Sequence, residues 1–272
     1  MKTAKLPLSK KSRIWELDFL RGLCVLLMIW DHLMYNISDI FGKVWVDNNP
    51  NLRWLYDFST NYWEGDLRTF FHPIIFSIFF VICGISCTLS RNNVSRGIKA
   101  LLLAFAITLV TSMFDMVIKF GVLHMLAFSI IIYSIIDLAC NHNKKLVSII
   151  CFVLGCVIII TNTTYQNVTI KDMPEGLDFI ANFLINGNYE SSDYFPMLPN
   201  CGYVLLGASI GGFWYSEKKS LCSKLDVYGW YKPIGFWGKI ALPVYILHQP
   251  ILIGLLAFLS YTIITPGNWI FF

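Results

Sequence analysis

Long apolar runs recur along the chain and are separated by shorter polar segments. Runs of about 18 or more residues with few charges have the length that an α-helix needs to cross the hydrocarbon core of a bilayer. The pattern therefore predicts an all-α, polytopic transmembrane bundle of about seven spans, with eight as the alternative count. The predicted spans cover residues 15–36, 71–90, 98–116, 121–139, 146–162, 195–215 and 239–261.

The composition strengthens this interpretation. Of the 272 residues, 56% are hydrophobic and 14% are charged, and the mean hydropathy is +0.59. Soluble domains carry about 25% charged residues, so the class of soluble globular proteins is excluded. The chain is expected to form one integral-membrane domain over residues 1–272, with the lipid bilayer as a partner and no nucleic-acid partner.

The basic residues predict which side of the membrane each segment occupies. If the N-terminus is cytoplasmic, the inner segments hold 15 of the 21 Lys and Arg residues and the outer segments hold five. Such a bias follows the positive-inside rule. It predicts a basic cytoplasmic tail at 1–14 and two long outer loops at 37–70 and 163–194. Within the second loop, PEGLDFIANFLI is expected to form an interfacial helix.

The first span carries ionisable residues in the stretch RGLCVLLMIWDH, Arg21 to His32. Helical spacing puts Arg21 and His32 on one face, separated by about 16 Å of rise. Arg21 is either a cationic anchor paired with Asp18 or part of a polar cavity. His32 is either a neutral ring satisfied by a neighbouring helix or a general base oriented by a carboxylate such as Asp31 or Asp66.

Three further histidines are predicted to lie at mid-membrane or nearer the outer surface. His72 opens the second span, His124 opens the fourth, and His248 lies near the middle of the last span, beside Tyr245 and Gln249. Together they predict a polar substrate pocket open to the outside, with packed, hydrogen-bonded rings as the alternative. No metal site is expected, because no i, i+4 His pair or His-Glu spacing occurs.

A short basic loop follows the second span and includes Arg91, Arg96 and Lys99. Its ordinary role would be to set topology and to contact lipid headgroups. The alternative is a binding site for a phosphate-bearing ligand, because arginine offers bidentate contacts to phosphate.

Five blocks of the sequence carry a family resemblance. In order they are RIWELDFLRGLCVLLMIWDH, FFHPIIFSIFFVICGISCTLSRNN, GVLHMLAFSIIIYSI, DYFPMLPNCGYVLLGASIG and LPVYILHQPILI. They resemble the heparan-α-glucosaminide N-acetyltransferase-like family of bacterial membrane proteins. The arginine, ten residues and histidine of the first block are also similar to the acyltransferase-3 family. The resemblance implies a transmembrane acyltransferase fold in the bacterial cytoplasmic membrane.

The resemblance further implies an enzyme that takes an acyl group from cytoplasmic acyl-CoA, usually acetyl-CoA. The group would pass to a hydroxyl or amine of an extracytoplasmic saccharide or glycolipid. By this likeness His32 is the general base with Asp31 beside it, and Arg21 lines the path of the donor. The CoA phosphates would be held by the basic loop of Arg91, Arg96 and Lys99.

Several alternatives stay open at this level. Direct transfer in a ternary complex is favoured over a covalent acyl-histidine, and a homodimer is neither required nor excluded. The competing function is a proton-coupled transporter or exporter of a small polar or saccharide substrate, in which the same groups relay protons. The lack of inverted repeats in the sequence argues against it. A structural or regulatory membrane protein without turnover is the third hypothesis.

Overall fold

The computed structural model describes residues 14–114, 117–165, 183–184 and 193–264, and the regular elements within these ranges are helices. The all-α class is therefore confirmed. The predicted basic tail and the predicted interfacial helix in 163–194 lie almost wholly outside the described residues.

Ten α-helices have bounds in the described residues. They are α1 Trp15–Tyr35, α2 Gly42–Asn48, α3 Arg53–Trp63, α4 Asp66–Leu89, α5 Asn93–Thr111, α6 Val122–Ala139, α7 Lys144–Tyr165, α8 Met197–Trp214, α9 Lys232–Lys239 and α10 Ala241–Leu259. Seven of them, α1, α4 to α8 and α10, coincide with predicted apolar spans. Polar caps begin some of them: the Asn92 side chain accepts a hydrogen bond from the backbone N–H of Ser95 at the start of α5. The segment predicted as the outer loop 37–70 is mostly helical, with a π-helical turn at Asn36–Phe41 that leads into α2 and α3.

Five helices of the described chain are long and apolar enough to cross a membrane: α4, α5, α6, and the stretches Lys144–Asn162 and Ala241–Thr262. The chain is thus an integral membrane protein. The other two predicted spans coincide with α1 and α8. Helix α1 carries Glu16, Asp18, Arg21 and Asp31, which lowers its hydropathy. The count of seven spans and the cytoplasmic N-terminus stay predictions.

The helices fall into two compact units. Among the described residues, the terminal unit comprises Trp15–Phe76 and the residues from Cys222 onward, and the central unit comprises Ile14 and the residues between Ser77 and Leu221. Whether they act as one domain, as the sequence predicts, stays a prediction.

Small residues bring the helices of the terminal unit close together. Gly22 on α1 faces the carbonyl of Ile234 on α9, and Gly238 faces the carbonyl of Asp18. A side chain at either glycine would collide with backbone, so these positions permit the close helix approach that is common in membranes. A core of buried apolar side chains continues the packing past the end of α1: Met34, Ile37, Phe41, Trp45 and Leu256.

Glycines also allow close helix packing in the central unit. Gly84 on α4 faces the carbonyl of Val204 on α8, and Gly207 on α8 faces Val81. Gly155 on α7 and Gly202 on α8 also meet closely. Because lipid offers no hydrophobic drive for helix association, such close van der Waals contact is an important source of stability.

Candidate active site

His32 lies in the last turn of α1, and its ring is held by its own helix. Its Nδ1 lies 2.9 Å from the carbonyl oxygen of Met28. A carbonyl can only accept, so Nδ1 carries the proton and Nε2 of the neutral ring carries a lone pair. No described residue forms a hydrogen bond to Nε2, and the residue is half-buried. This nitrogen is therefore able to accept a proton from a substrate.

His248 on α10 packs against His32. The two ring centroids are 4.7 Å apart, with an interplanar angle of 81°. His248 Nδ1 lies 2.7 Å from the carbonyl oxygen of Tyr245 and 3.2 Å from that of Val244. By the same reasoning its Nε2 carries the lone pair. The structure thus brings together two of the predicted histidines, and both present the same tautomer.

Asp31 does not orient the ring of His32, which corrects the sequence prediction. Its carboxylate forms a bidentate ion pair with Arg68 on α4, with distances of 2.7 and 3.0 Å. Asp31 and His32 are adjacent on α1, and neighbours in a helix point about 100° apart. The backbone of Met28 holds the ring instead of a carboxylate.

The ion pair of Asp31 and Arg68 has further partners at the same end of α1. Tyr62 on α3 donates to Asp31 at 3.3 Å, and His72 Nε2 lies 3.8 Å from the same carboxylate. The Arg68 guanidinium lies 3.5 Å over the ring of Trp63. Burial and the charge of Asp31 raise the pKa of Tyr62, so the phenol stays a hydrogen-bond donor. His72 therefore belongs to this cluster.

A buried amide pair lies next to the two histidines. Asn36 donates to Gln249 at 3.4 Å, and Gln249 donates back to Asn36 at 2.9 Å. Asn36 is fully buried. Gln249 was predicted for the substrate pocket, whereas in the structure its amide links the end of α1 to α10. Tyr245 contributes its carbonyl to His248, and its ring centroid lies 6.1 Å from that of His248.

Arg21 is paired with Asp18, as expected if it is a cationic anchor. Its guanidinium lies 3.1 Å from Asp18 and 3.5 Å from the carbonyl oxygen of Gly238, at the end of α9. A cation next to the last carbonyls of a helix is favourable. Arg21 thus helps to hold α1 to α9 within the terminal unit.

His124 belongs to the central unit, and both of its ring nitrogens are committed there. The backbone N–H of Gly121 donates to Nδ1 at 3.3 Å, and Nε2 lies 3.2 Å from the hydroxyl of Thr108. Thr108 in turn donates to the carbonyl of Ile118 at 2.6 Å. The ring is 2% exposed. His124 therefore has the surroundings of a packed, satisfied histidine, the alternative to a substrate ligand.

A cavity of about 360 Å³ lies in the central unit, where α4, α6 and α8 end and α5 and α7 begin. Its lining includes three basic side chains, Arg91, Lys144 and Lys218. Asp137 and His142, whose side chains lie 2.7 Å apart, also line it. Because backbone N–H groups are exposed at the first turns of helices, such a place suits an anion. We call this cavity the basic pocket.

The basic loop predicted from the sequence is only partly in the basic pocket. Arg91 lines it, and Lys99 is exposed and does not. Arg96 donates to Asn93 at 2.9 Å and to the carbonyl of Ser86 at 3.4 Å, so it braces the turn between α4 and α5. Lys144 and Lys218 were not singled out, although the charge bias placed both on the same predicted side as Arg91.

The sequence analysis also missed two residues near His32 and His248, namely Asn36 and Arg68. Asn36 lies four residues after His32, so the polar stripe of α1 could have been extended to it. Arg68 pairs with Asp31 across a separation of 37 residues, and no local spacing predicts such a partner. In the described part of the chain, no group of three or more His, Cys, Asp or Glu side chains could hold a metal ion.

The described chain is an integral membrane protein in which an uncommitted histidine nitrogen lies beside a second imidazole. The chain belongs to the family of the heparan-alpha-glucosaminide N-acetyltransferase catalytic domain, whose family model matches residues 13–250. The resemblance drawn from the five blocks is thus confirmed. Family membership implies acetyltransferase activity and does not favour the transporter alternative. Searches of curated proteins and of solved structures each found no match.

Proposed function

We propose that the protein transfers an acetyl group from acetyl-CoA to an amine of an extracytoplasmic saccharide, with His32 as the general base. The observation that carries this proposal is the ring of His32: its Nδ1–H is fixed on Met28, so its Nε2 lone pair is free to take a proton. The family name supports an amine as the acceptor and acetyl-CoA as the donor. The predicted topology supports an acceptor on the outer side.

The reaction needs one proton acceptor at the nucleophile. The amine nitrogen attacks the carbonyl carbon of the thioester, and a carbon–nitrogen bond forms while the carbon–sulfur bond breaks. His32 Nε2 takes a proton from the nitrogen and returns it to the departing thiolate, which leaves as CoA. General-base catalysis of this kind contributes about 10²- to 10⁴-fold in rate. We favour direct transfer, with no acyl-histidine.

The donor phosphates are proposed to bind in the basic pocket of the central unit. Its volume of about 360 Å³ accommodates a phosphate-bearing group, and Arg91, Lys144 and Lys218 supply positive charge there. Arginine binds phosphate through its planar fork and lysine as a point charge. Arg96 is less suited to this role, because its guanidinium is bound to Asn93 and Ser86.

The experiment is acetyl transfer by the purified full-length protein in lipid nanodiscs, with acetyl-CoA as donor and glucosamine as the acceptor probe. We expect N-acetylglucosamine and free CoA in equal amounts, and none from the His32→Ala protein. The Lys145→Ala protein is the control, because Lys145 is exposed, lies outside the terminal unit and does not line the basic pocket. Failure to bind or to turn over acetyl-CoA would refute the proposal.

A further inference from the structure

His248 Nε2 is a buried acceptor without a donor. The residue is 9% exposed, and its Nδ1–H is fixed on the carbonyls of Tyr245 and Val244. Its Nε2 is inaccessible to solvent and has no hydrogen-bond partner among the described residues. Buried polar atoms are nearly always satisfied, so an exception in a candidate active site calls for a functional explanation.

The ring that packs on His248 is that of His32, and the two meet edge to face at 4.7 Å between centroids. In the resting protein His32 presents a lone pair at Nε2, so it has no proton to offer. Once His32 accepts a proton, Nε2 becomes an N–H donor. The rings are in contact, so a hydrogen bond between the two Nε2 atoms requires that the His32 ring rotate towards His248.

We propose that His248 stabilises His32 while His32 carries the proton taken from the acceptor, before that proton passes to the departing thiolate: His248 Nε2 accepts a hydrogen bond from the Nε2–H of protonated His32. The two rings then carry one proton between them. This inference rests on the proposed function, since it assigns His248 a role in the same reaction. His248 acts through His32 and is a positioning residue, with no contact to the substrate required.

The hydrogen bond between the two histidines favours catalysis because it forms only while His32 is protonated. An unsatisfied buried acceptor is unfavourable in the resting state, and the penalty disappears when His32 is protonated. An interaction made only as the proton moves lowers the barrier without tightening substrate binding. A carboxylate often does this for a histidine, but the carboxylate nearest in sequence, Asp31, is bound to Arg68.

The charges around the pair are compatible with one shared proton. Helix α10 carries no Asp, Glu, Lys or Arg. On α1 and α4 the nearby charged groups are Asp31 and Arg68, which neutralise each other, and His72 lies beside Asp31. A second proton on the pair would place two cations in contact and is disfavoured.

The direct test uses magnetic resonance on the full-length protein in nanodiscs, with ¹⁵N-labelled histidine. The chain has five histidines, so the spectrum is simple. As the pH is lowered to protonate His32, we expect a nitrogen–nitrogen coupling across the hydrogen bond between the two Nε2 atoms. It should be absent in the His248→Leu protein. Protonated His32 without this coupling in the unmodified protein would overturn the inference, whether or not acetyl transfer is observed.

The kinetic test separates positioning from a structural role. With acetyl-CoA and glucosamine, the His248→Leu protein should lose about ten- to a hundredfold in kcat, with KM for both substrates unchanged. The His248→Gln protein places an amide oxygen near the position of Nε2 and should recover most of kcat. Equal kcat in all three proteins, or a loss in KM alone, would contradict the inference. If the unmodified protein transfers no acetyl group, the proposed function fails and the resonance test still decides.

Discussion

His32 and His124 are predicted at similar depth on the outer side, yet the structure gives them opposite surroundings. His124 uses Nδ1 to accept from Gly121 and Nε2 to bind Thr108, so no ring atom is left for a ligand. His32 commits Nδ1 to Met28 and leaves Nε2 without a partner in the described chain. The difference teaches that the hydrogen bonds of a ring, more than its depth, decide whether a histidine has a nitrogen left for a substrate.

The largest expected effect comes from removing the uncommitted ring. The His32→Ala protein should lose about 10²- to 10⁴-fold in the rate of acetyl transfer, because the proposed general base is gone. Its Tm should change by less than about 4 °C, since the ring is held only to its own helix. Rates of CoA release and thermal unfolding measure the two quantities. A protein with full activity would remove His32 from the mechanism.

The next effect concerns the ion pair beside His32. The Asp31→Leu protein should lose about 3 kcal/mol of stability, because Arg68, whose side chain is 16% exposed, is left without its anion. The double variant Asp31→Leu/Arg68→Met should be more stable than this single variant, since no unpaired charge remains. Denaturant unfolding in detergent measures both. If the single variant is as stable as the unmodified protein, the pair does not hold α1 to α4.

A smaller effect is expected at His124, and it should appear in stability and not in chemistry. The His124→Leu protein leaves the N–H of Gly121 without its acceptor and should lose about 2 kcal/mol. Its kcat, normalised to folded protein, should stay within about twofold. Adding Thr108→Val to this variant should lower the free energy of unfolding only slightly further, because the two residues share one hydrogen bond. A tenfold loss of kcat with unchanged stability would show that His124 acts in the reaction and has no structural role.

Much of the fold follows from the hydrophobic pattern. The five helices that can cross a bilayer begin and end within a few residues of predicted spans, because a membrane helix must be both apolar and about 20 residues long. The 37–70 segment was predicted as a loop and forms helices. Its apolar residues bury against α1 and α10 in a core that includes Phe41, Trp45 and Leu256, which no local pattern reveals.

The site could be predicted only in part. Spacing along one helix face singled out His32, and the family resemblance implied its role as a base, which stays a proposal. The pairing of His32 with His248, of Asp31 with Arg68 and of Asn36 with Gln249 joins residues that are distant in sequence. Such pairs depend on how helices pack, and a single sequence carries no signal for them. The charge bias indicated a basic side, but packing decided that Lys144 lines the basic pocket and Lys99 does not.

The smallest effect tests the basic pocket by comparing two adjacent lysines. Lys144 lines the pocket at the first turn of α7, whereas Lys145 is exposed and does not line it. The Lys144→Ala protein should raise the KM for acetyl-CoA about five- to tenfold with kcat unchanged, because phosphate loses one cation. The Lys145→Ala protein should behave like the unmodified protein.

The lysine comparison also has an internal check. A lysine in the first turn of a helix is unfavourable towards the helix dipole, so neither substitution should destabilise α7. With dephospho-acetyl-CoA as donor, the effect of Lys144→Ala should shrink if this lysine contacts the 3′-phosphate, and it should persist if it contacts the diphosphate. Because a partly exposed contact is screened by salt, the difference between the two variants should also decrease as ionic strength rises. Identical KM values for both variants at low salt would place the donor phosphates away from the basic pocket, while the comparison of His32 with His124 would be unaffected.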